Sequence, residues 1–153
     1  MDDLSPETLR ALRRMTVEAD KLIEGCVRDR LSLATLMARF LPALERWIGV
    51  KGAVVTTRNE HLVEQTFTYG EWTLLGGADL HAEEEGRAVV VGSGTSMWMK
   101  LSVAGSEVGR LMVLLPGDRR ADEGELRLLL AALCDALDVV LATVHTAAAK
   151  QRL

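Results

Sequence analysis

Apolar residues recur along this chain at two different spacings, and the change between them divides it into helical ends and a strand-rich middle. Leu9, Leu12, Thr16, Ala19, Ile23 and Cys26 follow one another at alternating steps of three and four. That spacing predicts a first helix with a narrow seam, of the kind that packs against a partner helix. Ser5 before Pro6 suits its start: the serine oxygen accepts a free first-turn amide, and proline has no amide to leave unused. Gly25 loosens its end and Ser32 offers a new start. Leu33, Leu36, Met37, Phe40, Leu44, Trp47 and Ile48 then line the broad face of a second helix, which Pro42 should bend or split and Gly49 should stop.

Past Gly49 the period changes. Val50 to Thr57 is a β-branched run, and Arg58 to His61 is a polar turn. Leu62 to Tyr69 follows as a strand with Val63, Gln65, Phe67 and Tyr69 on one side. Residues 70 to 87, broken by Gly70, Gly76, Gly77 and Gly86, have no steady period, although Asp79 to Glu85 is compatible with a short helix. Arg87 to Val91 is a short apolar strand. Ser96 to Ala104 sets Met97, Met99, Leu101 and Val103 on one face and Trp98, Lys100, Ser102 and Ala104 on the other. Gly105-Ser106 reads as a tight turn with glycine first, and Glu107 to Leu115 as the returning strand. Asp122 and Glu125 form a capping-box pair ahead of a long last helix on Leu126, Leu130, Leu133, Leu137, Val140 and Val144. Its end carries no stop signal, which fits equally a natural chain that continues past Leu153 and a frayed end.

Five strands within about 66 residues leave no room for the dozen-residue crossovers of parallel βαβ units. The expected fold is therefore α+β: an antiparallel sheet of about five strands with the N- and C-terminal helices on one face. Composition adds limits. At 153 residues with 48% hydrophobic and 26% charged residues, the chain has the balance of a folded domain with its own core. A net charge of -4 speaks against nucleic acid or an anionic membrane as a partner. The small clusters Arg10, Arg13, Arg14 and Arg119, Arg120 sit beside acidic residues. Cys26 and Cys134 have no CxxC partner and read as reduced, buried thiols. The start MDDLSPETLR has no apolar signal core, and the apolar run near the end is interrupted by Asp135 and Asp138. A cytoplasmic location is the expectation.

Three stretches together resemble a GAF domain. LATLMARFLPALERWIGVKGAVVTTR resembles that family's opening helix running into its first strand. AVVVGSGTSMWMKLSVAGSEVGRLMVLLPGD resembles its strand, hairpin and apolar closing strand, with the turn from Gly105 to Gly109. ADEGELRLLLAALCDALDVVLA resembles its closing helix, entered through an aspartate. The likeness covers residues 31 to 144. It implies a non-enzymatic regulatory module of signal transduction that dimerises, senses a small ligand, or does both for an output domain or partner protein. The domain reading is residues 1–30 as a dimerisation or linker helix and 31–150 as the GAF-like domain with its long C-terminal helix. The implied partner is a second copy, through the N- and C-terminal helices. The cyclic-nucleotide subgroup's signature is absent, and no cysteine-histidine pair stands where a bilin-binding relative has one. The short gap between the second and third strands favours a scaffold over a sensor. A roadblock or profilin-like interaction domain is the alternative, because WIGVKGAVVTTRNEHLVEQ resembles a roadblock opening, although residues 70 to 86 hold too many glycines for that fold's inserted helix.

Catalytic chemistry has little to stand on. His61, His81 and His145 are too far apart in sequence to share a short metal-ligand spacing, so neither metal nor cofactor is expected. His81 with Glu83, Glu84 and Glu85 reads as a solvated acidic loop. Gly92-Ser93-Gly94-Thr95-Ser96 lacks the spacing of a nucleophile elbow, and no phosphate-binding glycine loop is present. An enzyme would need polar groups that only the fold brings together. Asp135 and Asp138 read as a solvated face of the last helix. The candidate ligand site is an apolar pocket of Phe67, Tyr69, Trp72, Met97 and Met99, since aromatic and methionine side chains suit an apolar ligand. Trp98, turned away from Met97 and Met99, is expected to face the pocket or a partner.

Overall fold

The computed structural model describes residues 6–29, 32–58, 61, 63–72, 85–91, 94–117 and 123–151. Its elements are α1 (Pro6–Arg28), α2 (Leu33–Trp47), β1 (Gly52–Arg58), β2 (Glu64–Gly70), β3 (Val89–Val91), β4 (Gly94–Val103), β5 (Ser106–Pro116) and α3 (Glu123–Gln151). The strands form one antiparallel sheet in the order β2-β1-β5-β4-β3. The expected α+β architecture is the observed one, and the helices lie on one face of the sheet.

That face is set by alternation. Ala53 and Val55 of β1, Leu111, Val113 and Leu115 of β5, and Met97 and Leu101 of β4 point to it and are buried. Against them lie Leu36, Met37, Phe40 and Leu44 of α2 and Leu126, Leu130, Leu133, Leu137 and Leu141 of α3. Each fully buried Leu or Phe in this layer is worth about 1.5–3 kcal/mol of transfer free energy. Helix α3 packs over β4, α2 lies near β2, and α1 packs on both other helices. Thr8 Oγ1 donates to Glu125 Oε1 of α3 at 2.8 Å. Glu18 ties α1 to α2, accepting from Trp47 Nε1 and, at 3.0 Å, from Arg46.

Several local expectations need correction. The buried seam of α1 runs through Thr8, Met15, Ala19 and Cys26, with Leu12, Leu22 and Ile23 packed beside it. Leu9 is 43% exposed, and Thr16 turns its hydroxyl back to the carbonyl of Leu12. The seam thus keeps the expected Ala19 and Cys26, with Leu12 and Ile23 beside them, and only its start turns from Leu9 and Thr16 to Thr8 and Met15. Pro42 does not split α2, which is one helix from Leu33 to Trp47 with Pro42 on its exposed side. There the carbonyl one turn back, deprived of its amide partner, reaches water. The expected cap at Ser32 is present: its oxygen accepts from Thr35 N at 3.2 Å. The β4–β5 turn is Ala104-Gly105, one residue earlier than expected, with positive φ at both positions (53° and 82°), as in the two-residue turn matched to strand twist. Asp122 of the expected capping box lies outside the described residues. So does most of the irregular segment, 73–84.

By length and composition Glu123–Thr146 of α3 is apolar enough to cross a membrane. Its leucines at 126, 130, 133, 137 and 141 are buried against the sheet and α1, so its apolar character is that of a core helix. At Gly109 the two central strands approach so closely that a Cβ would stand 2.1 Å from the Thr56 carbonyl oxygen. Gly109→Ala should therefore destabilise the fold by about 3 kcal/mol through overpacking. Gly105→Ala, which meets nothing within 4 Å but sits at φ +82°, should cost about 1 kcal/mol. Urea unfolding of the two variants tests the ranking.

Candidate functional site

The even-numbered positions of the central strands face away from the helices and build a second cluster. Val54, Trp98, Met112 and Leu114 are all buried there, with Val89 packed against them. The pairings Thr68↔Val54, Val54↔Met112 and Met112↔Trp98 make one cross-strand row on this second face. The next row is polar: Thr66↔Thr56, Thr56↔Arg110 and Arg110↔Lys100. Beyond it Arg58 stands opposite Glu64.

Arg110 links the two rows. The Arg110 guanidinium lies over the Trp98 ring at 4.4 Å, a cation–π geometry, while its Nε donates to Glu107 at 2.9 Å. Thr56 and Thr66 bring their hydroxyls to 3.4 Å. Around Arg110 opens a cleft of about 410 Å³ lined by Thr56, Arg58, Glu64, Glu107, Val108, Gly109 and Arg110. Arg58 makes no ion pair among the described residues. Two guanidinium groups and two carboxylates, Glu64 and Glu107, line the cleft; with Arg110 engaged by Glu107, the Arg58 fork is the donor pair suited to an anion.

The outer edge of β4 is closed by side chains. β3 covers it only from Gly94 to Ser96, and farther along its outward groups are met one by one. Gly86 N donates to Trp98 O at 2.9 Å, Lys100 N donates to Glu85 Oε1 at 2.8 Å, and Ser102 N donates to Asp138 Oδ1 at 2.8 Å. Two carboxylates thus take amides that an open edge would offer to another strand. Asp138 is therefore not on the solvated face expected for it. Burial pushes its carboxyl above the ordinary value of 3.8, the Ser102 amide offsets part of that, and Asp135 adds to it. Desolvation, reinforced by Asp138, Asp135 and Glu85, likewise lifts the Cys134 thiol far above its usual range.

The five pocket candidates divide. Phe67, Tyr69, Met97 and Met99 share the helix side of the sheet, where Met97 is fully buried and the other three pack half-buried on the core. Val55 and Leu111 separate Phe67 from Met99, and Ala53 and Val113 separate Tyr69 from Met97. Three strand spacings put each pair about 14 Å apart. Tyr69 also donates its hydroxyl to Glu45 of α2 at 2.5 Å, which raises its pKa. Trp72 stands apart and exposed just after β2. A ligand among these residues would have to displace packed side chains. Trp98 does face away from Met97 and Met99, as its alternation predicted. Arg58, Arg110 and Thr56 were missed because they come together only through register across β1 and β5. The legible part was Lys100, alternating with Trp98 on one strand.

His145 directs a ring nitrogen to the Arg58 carbonyl oxygen at 3.2 Å, and His61 lies in the turn before β2. His81 lies outside the described residues. Among the described residues no group of three or more His, Cys, Asp or Glu side chains is placed to hold a metal ion.

Comparison with solved structures identifies the architecture. The A. aeolicus nlh2 GAF domain in an inactive state is similar with a TM-score of 0.65 at 10% identity, over 88% of this chain and 97% of that one. The GAF domain from Acinetobacter phosphoenolpyruvate-protein phosphotransferase is similar with a TM-score of 0.55 at 15% identity, over 94% of this chain and 97% of that one. No protein-family model matches the sequence, and no curated protein does. The fold is GAF-like; at these identities the likeness carries the fold alone.

The edge chemistry gives a pH prediction. The folded chain holds the Asp138 proton more tightly than the unfolded chain, so ionised Asp138 costs stability. That cost is absent below 3.8 and complete once the pH has risen through the folded-state value. Asp138→Asn keeps a carbonyl oxygen for the Ser102 amide, and should be more stable than the parent at neutral pH, with the difference vanishing toward pH 4. Asp138→Leu orphans that amide and should lose about 1–3 kcal/mol. Urea titrations across the acid range check both. Cys134 should resist a thiol reagent at pH 8 until the protein unfolds.

Proposed function

We propose that this chain is a non-enzymatic regulatory module of a signalling system, which senses a small ligand bearing an anionic group on the second face of its sheet. The observation that carries this is the cleft there. Arg58 and Arg110, with the Thr56 hydroxyl between them and the Glu64 and Glu107 carboxylates beside them, line an open space on the face opposite the described helices. The GAF-like fold supports the regulatory reading. The two buried free thiols, Cys26 and Cys134, fit a reducing, cytoplasmic setting.

Dimerisation through α1 and α3 is the second part of the proposal. The two helices already pair within one chain, so a second copy would meet their outer surfaces. Leu9, Val17 and Val27 of α1 and Val139 of α3 are exposed there. An output domain or partner protein would read the state of α3.

Calorimetric titration with inorganic phosphate and with succinate tests the ligand reading. Saturable uptake of at least one, weakened about tenfold or more by Arg58→Gln, is the expected result. Absence of uptake, or uptake indifferent to Arg58→Gln, contradicts it. Light scattering tests the dimer: the expected mass is twice that of the chain, reduced to one chain by Val17→Glu with Val139→Glu.

A further inference from the structure

We infer that Gly86 is the joint that couples the second face of the sheet to α3. The inference rests on the reading of that face as the ligand surface, and names how its state would leave the domain. The backbone of Gly86 bonds in two directions. Its N–H donates to Trp98 O of β4 at 2.9 Å, and its carbonyl oxygen accepts from Arg127 Nε of α3 at 2.7 Å. Arg127 is held in turn by Glu123, one helical turn earlier, at 2.9 Å.

The residue type follows from the geometry. Gly86 is buried at φ +75°, and a Cβ there would lie 3.0 Å from Arg127 Nε and 3.2 Å from its Cδ. A side chain would therefore incur left-handed strain and press on the arginine that grips its carbonyl. Glu85, the preceding residue, holds the adjacent outward position of β4. It accepts from Lys100 N at 2.8 Å and approaches Lys100 Nζ at 3.9 Å. Trp98 and Lys100 are thus gripped at their backbones by Glu85-Gly86, while their side chains belong to the second face beside Arg110.

This gives the joint two arrangements with different contacts, as coupling requires. Without ligand, Glu85 shares the Lys100 ammonium. Lys100 stands opposite Arg110 in the β4–β5 register, next to the cleft lining, so an anion held at Arg110 competes for its charge, leaves Glu85 with the amide alone, and loosens Glu85-Gly86 against β4. Arg127 then loses a fixed acceptor, and the first turns of α3 respond. The Asp138–Ser102 bond, 36 residues apart in sequence and farther along α3, is a separate tie that this exchange does not touch.

The test needs no ligand. Hydrogen exchange is followed on the full chain in the parent, Glu85→Gln, Arg127→Met and the double variant; both positions are exposed, so the fold is expected to survive. Glu85→Gln should speed exchange in residues 124–130 about fivefold while leaving 137–141 unchanged, and Arg127→Met should speed exchange at Gly86 and Lys100. The double variant should do no more than the larger single one. Additive effects, or α3 amides indifferent to Glu85→Gln, would overturn the joint. Coupled exchange in a chain that takes up neither phosphate nor succinate would overturn the ligand reading and leave the joint standing.

Discussion

The sheet is apolar on both faces along its two central strands, and the rest of the structure answers to that. From Leu111 to Leu115 every side chain of β5 is buried, and so are Ala53, Val54 and Val55 of β1. Since successive side chains point to opposite faces, such a run needs cover on both sides. One side is served by α2 and α3, with α1 laid over them. The other carries Trp98, Met112, Val54 and Leu114, and gives way at the Arg110 end to a polar cleft. The helix side of the sheet is thus packed as core, and the second face carries the cleft on which the proposed function rests.

The edge of β4 joins these two faces. A strand edge with unpaired amides invites another chain, and here Glu85 and Asp138 take those amides while Gly86 takes a carbonyl. The capping groups come from α3 and from the segment before β3, so closing the edge also ties the helix layer to the strand that carries Trp98 and Lys100. Keeping an ionised Asp138 in this place costs stability, because burial raises its pKa more than one amide lowers it. Retaining such a group fits a tie that fixes the position of α3 on β4.

The fold was largely legible because it is written in period. The step from helical spacing to alternation at Gly49, the hairpin around Gly105 and the leucine repeat of the last helix give the element order directly. Alternation even separated Trp98 from Met97 and Met99. What period does not carry is which face a ligand would use: aromatic and methionine side chains on the helix side pack as core just as readily as they line a pocket. Nor does it carry register across strands, which alone brings Arg58, Thr56 and Arg110 together. The Asp138 contact escaped for the same reason, since it depends on a strand edge 36 residues away. The start of the α1 seam differs because Met15 competes well with Thr16 for burial between two helices, while Ala19 and Cys26 are buried as expected.

The most direct test of the central claim is a map of amide and indole chemical shifts of the labelled chain during titration with a set of small carboxylates and phosphates. Shifts are expected to gather at Thr56, Arg58, Trp98 and Arg110, with helix-side positions such as Val55, Met97 and Leu111 quiet. Shifts confined to Phe67, Tyr69, Met97 and Met99, or none with any anion, would contradict it.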